Sequence, residues 1–506
     1  MLLKSLLQLL LPTATLASNT TSRCDAHALP TPSVLGASIL TLKAVESTLG
    51  STSISFCNVT FTYTHPGQND SIVVWLALPE AWNGRFQGVG GGGWATGYPT
   101  EMIPAISQGY AAVSTDGGHD GANQPTADPW ALLSPGNVDL YALQNFASVA
   151  LNDMTVLGKQ LTEAYYGKAI SKSYWSGCST GGRQGLMMAQ RYPHAYDGII
   201  AAAPAHNWDE LIPGFFWPQW VMKQIGYFPP QCELEAITAA AISACDGLDG
   251  IRDGVIGLTG LCDFDPNTVV GQPYACGTVT GTISEEAAIV ANATWTGSVS
   301  AKGQLQWPGI TPGTSLSARA NTTCDAYGRN CTGIPFSVST DWLRLFVEKD
   351  PTFDPFSYTH AEWDRALHAS VQQYDSIIGT SDPDLSEFKD AGGKMITWHG
   401  TADQLIPFNH TVKYYERVLG LDADITDFYR FYSAPGVEHC AMGLGAQPVD
   451  PLAELVAWVE DGKVPQTLAA NRTVNGTSWL RELCLYPLAS IYKGGDPAVA
   501  SSYQCE

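Results

Sequence analysis

Gly177-Cys178-Ser179-Thr180-Gly181 is the one G-x-S-x-G in the chain. A serine hydroxyl is a poor nucleophile until a histidine takes its proton and a carboxylate holds that histidine in the right tautomer. The run SKSYWSG before the motif reads as a strand, and the residues after it read as a helix opening. That setting is a nucleophile elbow, where small flanking residues tolerate the tight turn that exposes the hydroxyl. The chemically silent alternative is a glycine-rich strand-to-helix turn. Where such an elbow carries the nucleophile, the acid and then the histidine follow in chain order. Asp403, directly after the strand-like KMITWHG, fits the acid. Only His410 and His439 lie beyond it; His410 sits inside a sequon and is expected to face solvent, which leaves His439 in Pro435-Gly436-Val437-Glu438-His439-Cys440.

Cys178 precedes the expected nucleophile and Cys440 follows the expected base. If Ser179 and His439 meet, their neighbours approach disulfide distance; two unrelated cysteines that pair elsewhere are the alternative. Acyl transfer also needs donors for the tetrahedral oxyanion. The N–H of Thr180 is one, and Gly92 or Gly93 of the Gly90–Gly93 run supplies the other, unless that run is only a flexible turn. A third cluster, Asp246, Asp249 and Asp253, places three carboxylates among glycines within eight residues. Such spacing suits a hard cation, though no Glu closes an EF-hand, and a solvated acidic turn fits as well.

These residues need a scaffold. Residues 71–78, 86–89, 109–114, 171–177, 198–204 and 394–400 read as strands, with helical spacing over 140–165, which predicts an α/β fold with a largely parallel sheet. Between 205 and 390 the rhythm fails, and six of the twelve cysteines fall there. That segment is expected to form a lid domain over a core built from 18–204 and 391–506. Trp208, Trp217 and Trp220 would give the lid either an aromatic surface for substrate or its own core.

The first 17 residues, with one Lys and a Leu-rich run, read as a secretory signal peptide. An even cysteine count and sequons at Asn19, Asn58, Asn69, Asn292, Asn321, Asn330, Asn409, Asn471 and Asn475 agree with a secreted, extracellular glycoprotein. No later stretch is apolar enough to span a membrane. A net charge of −22 with no basic cluster argues against nucleic acid as a partner. Oligomeric state is open.

GCSTGG, the Asp of GTADQLIP and the His-Cys pair resemble the pattern of the tannase and feruloyl esterase family. GGGGW and CDGLDGIRDGVIG strengthen the likeness, which covers essentially the whole mature chain and is greatest to the fungal feruloyl esterases. The resemblance implies an α/β-hydrolase core with an inserted lid, a Cys178–Cys440 bridge and a Ser179, Asp403, His439 triad. It also implies a structural calcium ion in the lid, on the side chains of Asp246, Asp249 and Asp253 and the carbonyls of Ile251 and Val255, with no organic cofactor. The implied activity is that of a serine esterase releasing ferulic or related hydroxycinnamic acids from plant cell-wall polysaccharide esters. Galloyl-ester hydrolysis is the near alternative, a serine peptidase is a further one, and a non-catalytic wall-polysaccharide binder is the alternative of another class. Proximity in the chain suggests the bridges Cys24–Cys57, Cys245–Cys262, Cys324–Cys331 and Cys484–Cys505, leaving Cys232–Cys276 by elimination.

Overall fold

The computed structural model describes residues 23–50 and 54–506. The expected signal peptide over 1–17 and the sequon at Asn19 lie outside the described residues. Nine strands form the central sheet: β1 (Ser38–Thr48), β2 (Ser55–Thr64), β3 (Ile72–Pro79), β4 (Arg85–Val89), β5 (Ala111–Thr115), β6 (Lys172–Cys178), β7 (Gly198–Ala202), β8 (Lys394–Gly400) and β9 (Tyr429–Ala434). Their spatial order is β1-β2-β3-β5-β4-β6-β7-β8-β9. The first pairings, through β3 with β5, are antiparallel, and all those from β5 to β9 are parallel. This mixed sheet flanked by helices is an α/β-hydrolase fold.

Burial explains which strands were legible. The parallel strands are covered on both faces and read as continuous apolar runs; AAVST of β5 and GIIAA of β7 are buried throughout. The segments 71–78, 86–89, 109–114, 171–177 and 198–204 become β3 to β7 within a few residues, and 394–400 is β8 itself. β1 and β2 were not anticipated. They form an edge pair in which Val59, Phe61 and Tyr63 point inward between more exposed Thr and Asn, a diluted two-residue period. The helical stretch 140–165 is broken: a short helix over Leu140–Gln144, a π-turn over Asn145–Val149, then α1 (Ala150–Tyr166), stopped by Gly167 at φ 63°.

The chain leaves the sheet after β7 and returns at β8, its parallel neighbour, with Lys394 opposite Gly198. The intervening stretch adds no strand to the central sheet. It contains α3 (Trp208–Gly214), α4 (Trp217–Ile225), α5 (Gln231–Cys245), α6 (Glu285–Thr296) and α7 (His360–Tyr374), which follow α2 (Thr180–Arg191). Met222, Leu234, Ile237, Val290 and Ile310 form an apolar cluster inside the stretch. A second cluster is shared with the body: Trp208, Trp342, Phe346 and Trp363 pack with Trp94, Leu143 and Phe146. The Trp94 ring lies 5.4 Å from Trp208 and 5.5 Å from Phe146. Burying a ring of this size contributes about 2 kcal/mol relative to exposing it. Separating the insertion from the sheet would expose several.

Six disulfides are formed: Cys24–Cys57, Cys178–Cys440, Cys232–Cys276, Cys245–Cys262, Cys324–Cys331 and Cys484–Cys505. Among the described residues no helix is long and apolar enough to cross a membrane. Asn58, Asn69, Asn292, Asn330, Asn409, Asn471 and Asn475 are exposed and Asn321 is half-buried.

Candidate active site

Ser179 caps α2 with φ 63° and ψ −122°, a left-handed turn that a serine adopts only where its surroundings enforce it. The flanking glycines show why. A Cβ on Gly177 would stand 2.5 Å from the backbone of Gly181, and one on Gly182 would meet the Ala202 carbonyl at 2.2 Å. The backbone of Ser179 is held from both sides: its N–H donates to Ala202 O at 3.1 Å, and its carbonyl accepts from the N–H groups of Arg183 and Ala205 at 3.0 Å. The sharp turn between β6 and α2 is thus locked against the end of β7.

Asp403 lies in the loop between β8 and α8 (Phe408–Leu421) and is fully buried. Its Oδ1 accepts from the N–H groups of Leu405 and Ile406, both at 2.8 Å. Its Oδ2 lies 2.8 Å from His439 Nδ1 and 3.1 Å from His399 Nε2. Burial pushes the carboxyl up, but the His439 charge and the bonds from His399 and His439 outweigh it, and Asp403 is held well below the usual carboxylate range. His399 was not anticipated from the sequence. It has no exposure, and its Nε2 also faces Ile406 O at 3.2 Å, so between two acceptors that nitrogen carries the proton. Its Nδ1 then accepts from Thr411 Oγ1 at 2.9 Å. Nothing in the spacing of His399 singles it out; only the loop that folds Asp403 back over the end of β8 creates the contact.

The Cys178–Cys440 bridge links positions 262 residues apart with Cα atoms at 5.9 Å, and so ties the Ser179 turn to the His439 loop. His439 N–H donates to Gln404 Oε1 at 3.0 Å. Ser179 and His439 line one cavity of about 610 Å³. No hydrogen bond joins the hydroxyl to the ring in the structure, and such bonds often tighten only when substrate arrives. The glycine loop borders the same cavity. Gly90 N–H donates to Ser176 O and Gly91 N–H to Gln184 Oε1, while Gly181 N–H binds Gly91 O and Thr180 Oγ1 binds Gly93 O. Those bonds occupy Gly90 and Gly91. Among the described residues, the N–H groups of Gly92, Gly93 and Thr180 donate to no protein acceptor.

Of the three tryptophans, Trp208 lines the cavity. Trp217 and Trp220 are stacked on each other at 5.0 Å within the shared apolar cluster and do not line it. Two buried guanidiniums brace the cavity wall. Arg183 lies 5.7 Å from the Trp208 ring and donates to the carbonyls of Phe146 and Ala147. Arg319 lies 4.1 Å over the Phe215 ring and donates to Leu405 O. Burial pushes each down to about 9. His410 is a correction: Asn409 is exposed, but His410 turns inward, 2 % exposed, with its ring 3.6 Å from that of His206. A sequon fixes the environment of its asparagine, and the next residue on a helix points elsewhere.

The acidic loop lies in a 3-10 turn after α5. Asp246 Oδ1 accepts from the N–H groups of Asp253 and Gly254, Asp249 Oδ1 from that of Ile251, and Asp253 Oδ1 from that of Val255. Asp253 Oδ2 is paired with Arg472 at 2.5 Å and Arg481 at 3.5 Å. Burial first, then the charges of Asp253 and Asp246, pushes Asp249 up to about 6. The donors are all oxygen, the chemistry calcium takes. Among the described residues, however, no three His, Cys, Asp or Glu side chains are gathered as a metal's ligands. The carboxylates as placed are shared among backbone N–H groups and the two guanidiniums.

The chain is similar to known proteins over most of its length. The family profile described as "Tannase and feruloyl esterase" matches residues 57–506. A probable feruloyl esterase of Arthroderma benhamiae is 40% identical, over 95% of this chain and 93% of its own. A tannase of Aspergillus oryzae is 29% identical, over 90% and 85%. The solved structure of a tannin acyl hydrolase from Aspergillus niger superposes with a TM-score of 0.86 at 30% identity, over 95% of this chain and 94% of that one.

Proposed function

The chain belongs to the tannase and feruloyl esterase family and is a carboxylic ester hydrolase, and from that premise we propose that it is a secreted serine esterase releasing hydroxycinnamic acids such as ferulic acid from plant cell-wall polysaccharide esters. The observation that carries the reading is the buried, ionised Asp403 bonded to His439, whose loop is tied by disulfide to the Ser179 turn.

In this reading Ser179 Oγ attacks the ester carbonyl carbon while His439 Nε2 takes its proton, and Asp403 stabilises the imidazolium at Nδ1. The N–H of Thr180 and that of Gly92 or Gly93 hold the oxyanion. His439 then protonates the departing alcohol, leaving an acyl group on Ser179. Water, deprotonated by the same ring, attacks the acyl carbon and releases the acid. The aromatic side of the cavity, with Trp208, Phe215 and Phe336, suits a planar phenolic acid.

Calcium at the Asp246–Val255 loop would be structural. Asp246, Asp249 and Asp253 and the carbonyls of Ile251 and Val255 would hold it, and a cation there would offset the burial of Asp249. Secretion and glycosylation rest on the first 17 residues, six disulfides and the exposed sequons.

Hydrolysis of methyl ferulate and methyl gallate by the purified protein and by Ser179→Ala tests the assignment. Ferulate release, absent in the variant and faster than gallate release, is the expected result. Faster gallate release would make the protein a tannase, a reading favoured by the likeness to the Aspergillus niger structure. Cleavage of neither ester would sink the substrate assignment.

A further inference from the structure

A guanidinium is costly to bury and stays buried only where acceptors and a counter-charge meet it. Arg319, in a turn of the insertion between α6 and α7, is 3 % exposed. Its backbone is fixed on α4, where the Gln219 amide donates to the carbonyls of Arg319 and Asn321 at 3.1 and 2.9 Å. From that anchor the side chain reaches the acid loop. Its Nε and Nη2 both donate to the carbonyl of Leu405, 86 positions along the chain. The negative charge that acts on it is that of Asp403.

The Leu405 carbonyl belongs to the peptide unit that carries the Ile406 N–H, and that N–H donates to Asp403 Oδ1 at 2.8 Å. In a trans peptide the C=O and the N–H point in opposite directions. One peptide therefore stands between guanidinium and carboxylate, its oxygen toward the cation and its hydrogen toward the anion. Hydrogen bonds in such a chain polarise one another, the more so in a low dielectric. Arg319 thus makes Ile406 a better donor to Asp403. It also fixes the turn that presents Leu405 N–H to the same oxygen and Gln404 Oε1 to the N–H of His439. A second grip comes from earlier in the same stretch. Thr311 Oγ1 donates to Thr401 O, and the Thr401 hydroxyl in turn accepts from Gly436 N–H, on the way to His439. The insertion holds the acid loop at both ends.

We propose that Arg319 is a positioning residue for the triad acid, and that through it the insertion sets Asp403 toward His439. This rests on the esterase reading above. The charged and titratable groups around Asp403 are His399 of β8, His439 and Arg319. Without the cation, a positive neighbour of His439 is gone and Asp403 is less well satisfied. Both changes favour the imidazolium, so the acid limb of the kcat profile moves to higher pH.

The test is kcat, KM and the pH profile of kcat, on whichever of the two methyl esters is cleaved faster, for the native protein, Arg319→Gln and Arg319→Lys. Arg319→Gln should lower kcat about tenfold, the loss of a buried charged hydrogen bond, with KM little changed and the acid limb moved up. Arg319→Lys keeps the charge but not the two-bonded fork. Its acid limb should stay in place and its kcat should lie between those of Arg319→Gln and the native protein. Should Arg319→Gln fail to fold, the lowered kcat of Arg319→Lys decides the matter. Native kcat in a folded variant would overturn the inference, as would a loss of kcat and Tm in both variants with the acid limb unmoved in Arg319→Gln. Failure of the native protein to cleave either ester would instead overturn the reading beneath it.

Discussion

Two buried aspartates, one on each side of the boundary between sheet and insertion, have opposite fates. Asp403 is 1 % exposed and ionised; Asp209, in the first turn of α3, is also 1 % exposed and is pushed up to about 8 by burial, then by the charges of Asp375 and Glu210. Depth is the same and donors differ. Asp403 accepts from two backbone N–H groups and two imidazoles, whereas Asp209 Oδ1 has no partner. Burial sets the cost of a charge, and the number of donors aimed at it decides whether the charge survives. A carboxylate that must steady an imidazolium needs that surplus of donors.

The contrast breaks most severely if the charge of Asp403 is removed. Asp403→Asn leaves the shape but presents His439 with the wrong tautomer, and kcat for ester hydrolysis should fall by about 10³- to 10⁴-fold. A loss of tenfold or less, from steady-state kinetics with the variant folded, would mean that the charge does little. Removing one donor is milder. His399→Phe should lower kcat/KM on the order of tenfold and shift the acid limb of its pH profile, and His399→Gln, which can still donate to Asp403, should restore part of both. A loss of Tm with an unmoved pH profile would make His399 mere packing.

Stability against pH separates the two aspartates by sign. The depressed carboxyl of Asp403 adds stability above its unfolded pKa near 4, and that contribution is lost as pH falls through the folded value. Asp209 works the other way. From about pH 4 to 8 the folded state holds a proton that the unfolded chain has released, so stability falls as pH rises, by at most about 1.4 kcal/mol per unit. Melting curves of Asp209→Asn across that window should flatten relative to the native protein; parallel curves would show that Asp209 is ionised as Asp403 is. The smallest effect belongs to the third acidic region. If the Asp246–Val255 loop takes calcium, chelation should lower Tm by several degrees without changing kcat, and added calcium should restore it.

The sequence made these regions unequally visible. Ser179, Asp403 and His439 could be singled out because a tight turn favours the glycines of the Ser179 motif, and because chain order ranks the partners; the structure places Asp403 against His439. The parallel strands were visible through their continuous apolar runs, while β1 and β2, half-solvated at the edge, were not. His399 sits inside ordinary strand sequence, and its contact with Asp403 depends on a loop closing over β8. His410 misled because a sequon describes the surface of one residue and not of the next. The fate of Asp209 turned on a missing partner, which no local pattern records.

The most direct measurement is covalent labelling with an organophosphate, mapped by peptide mass spectrometry and timed in the native protein, His439→Ala and Asp403→Asn. A triad built on an ionised Asp403 predicts fast modification confined to the peptide bearing Ser179, and slowing by orders of magnitude in both variants. Modification at another residue, or an unchanged rate in Asp403→Asn, would contradict it.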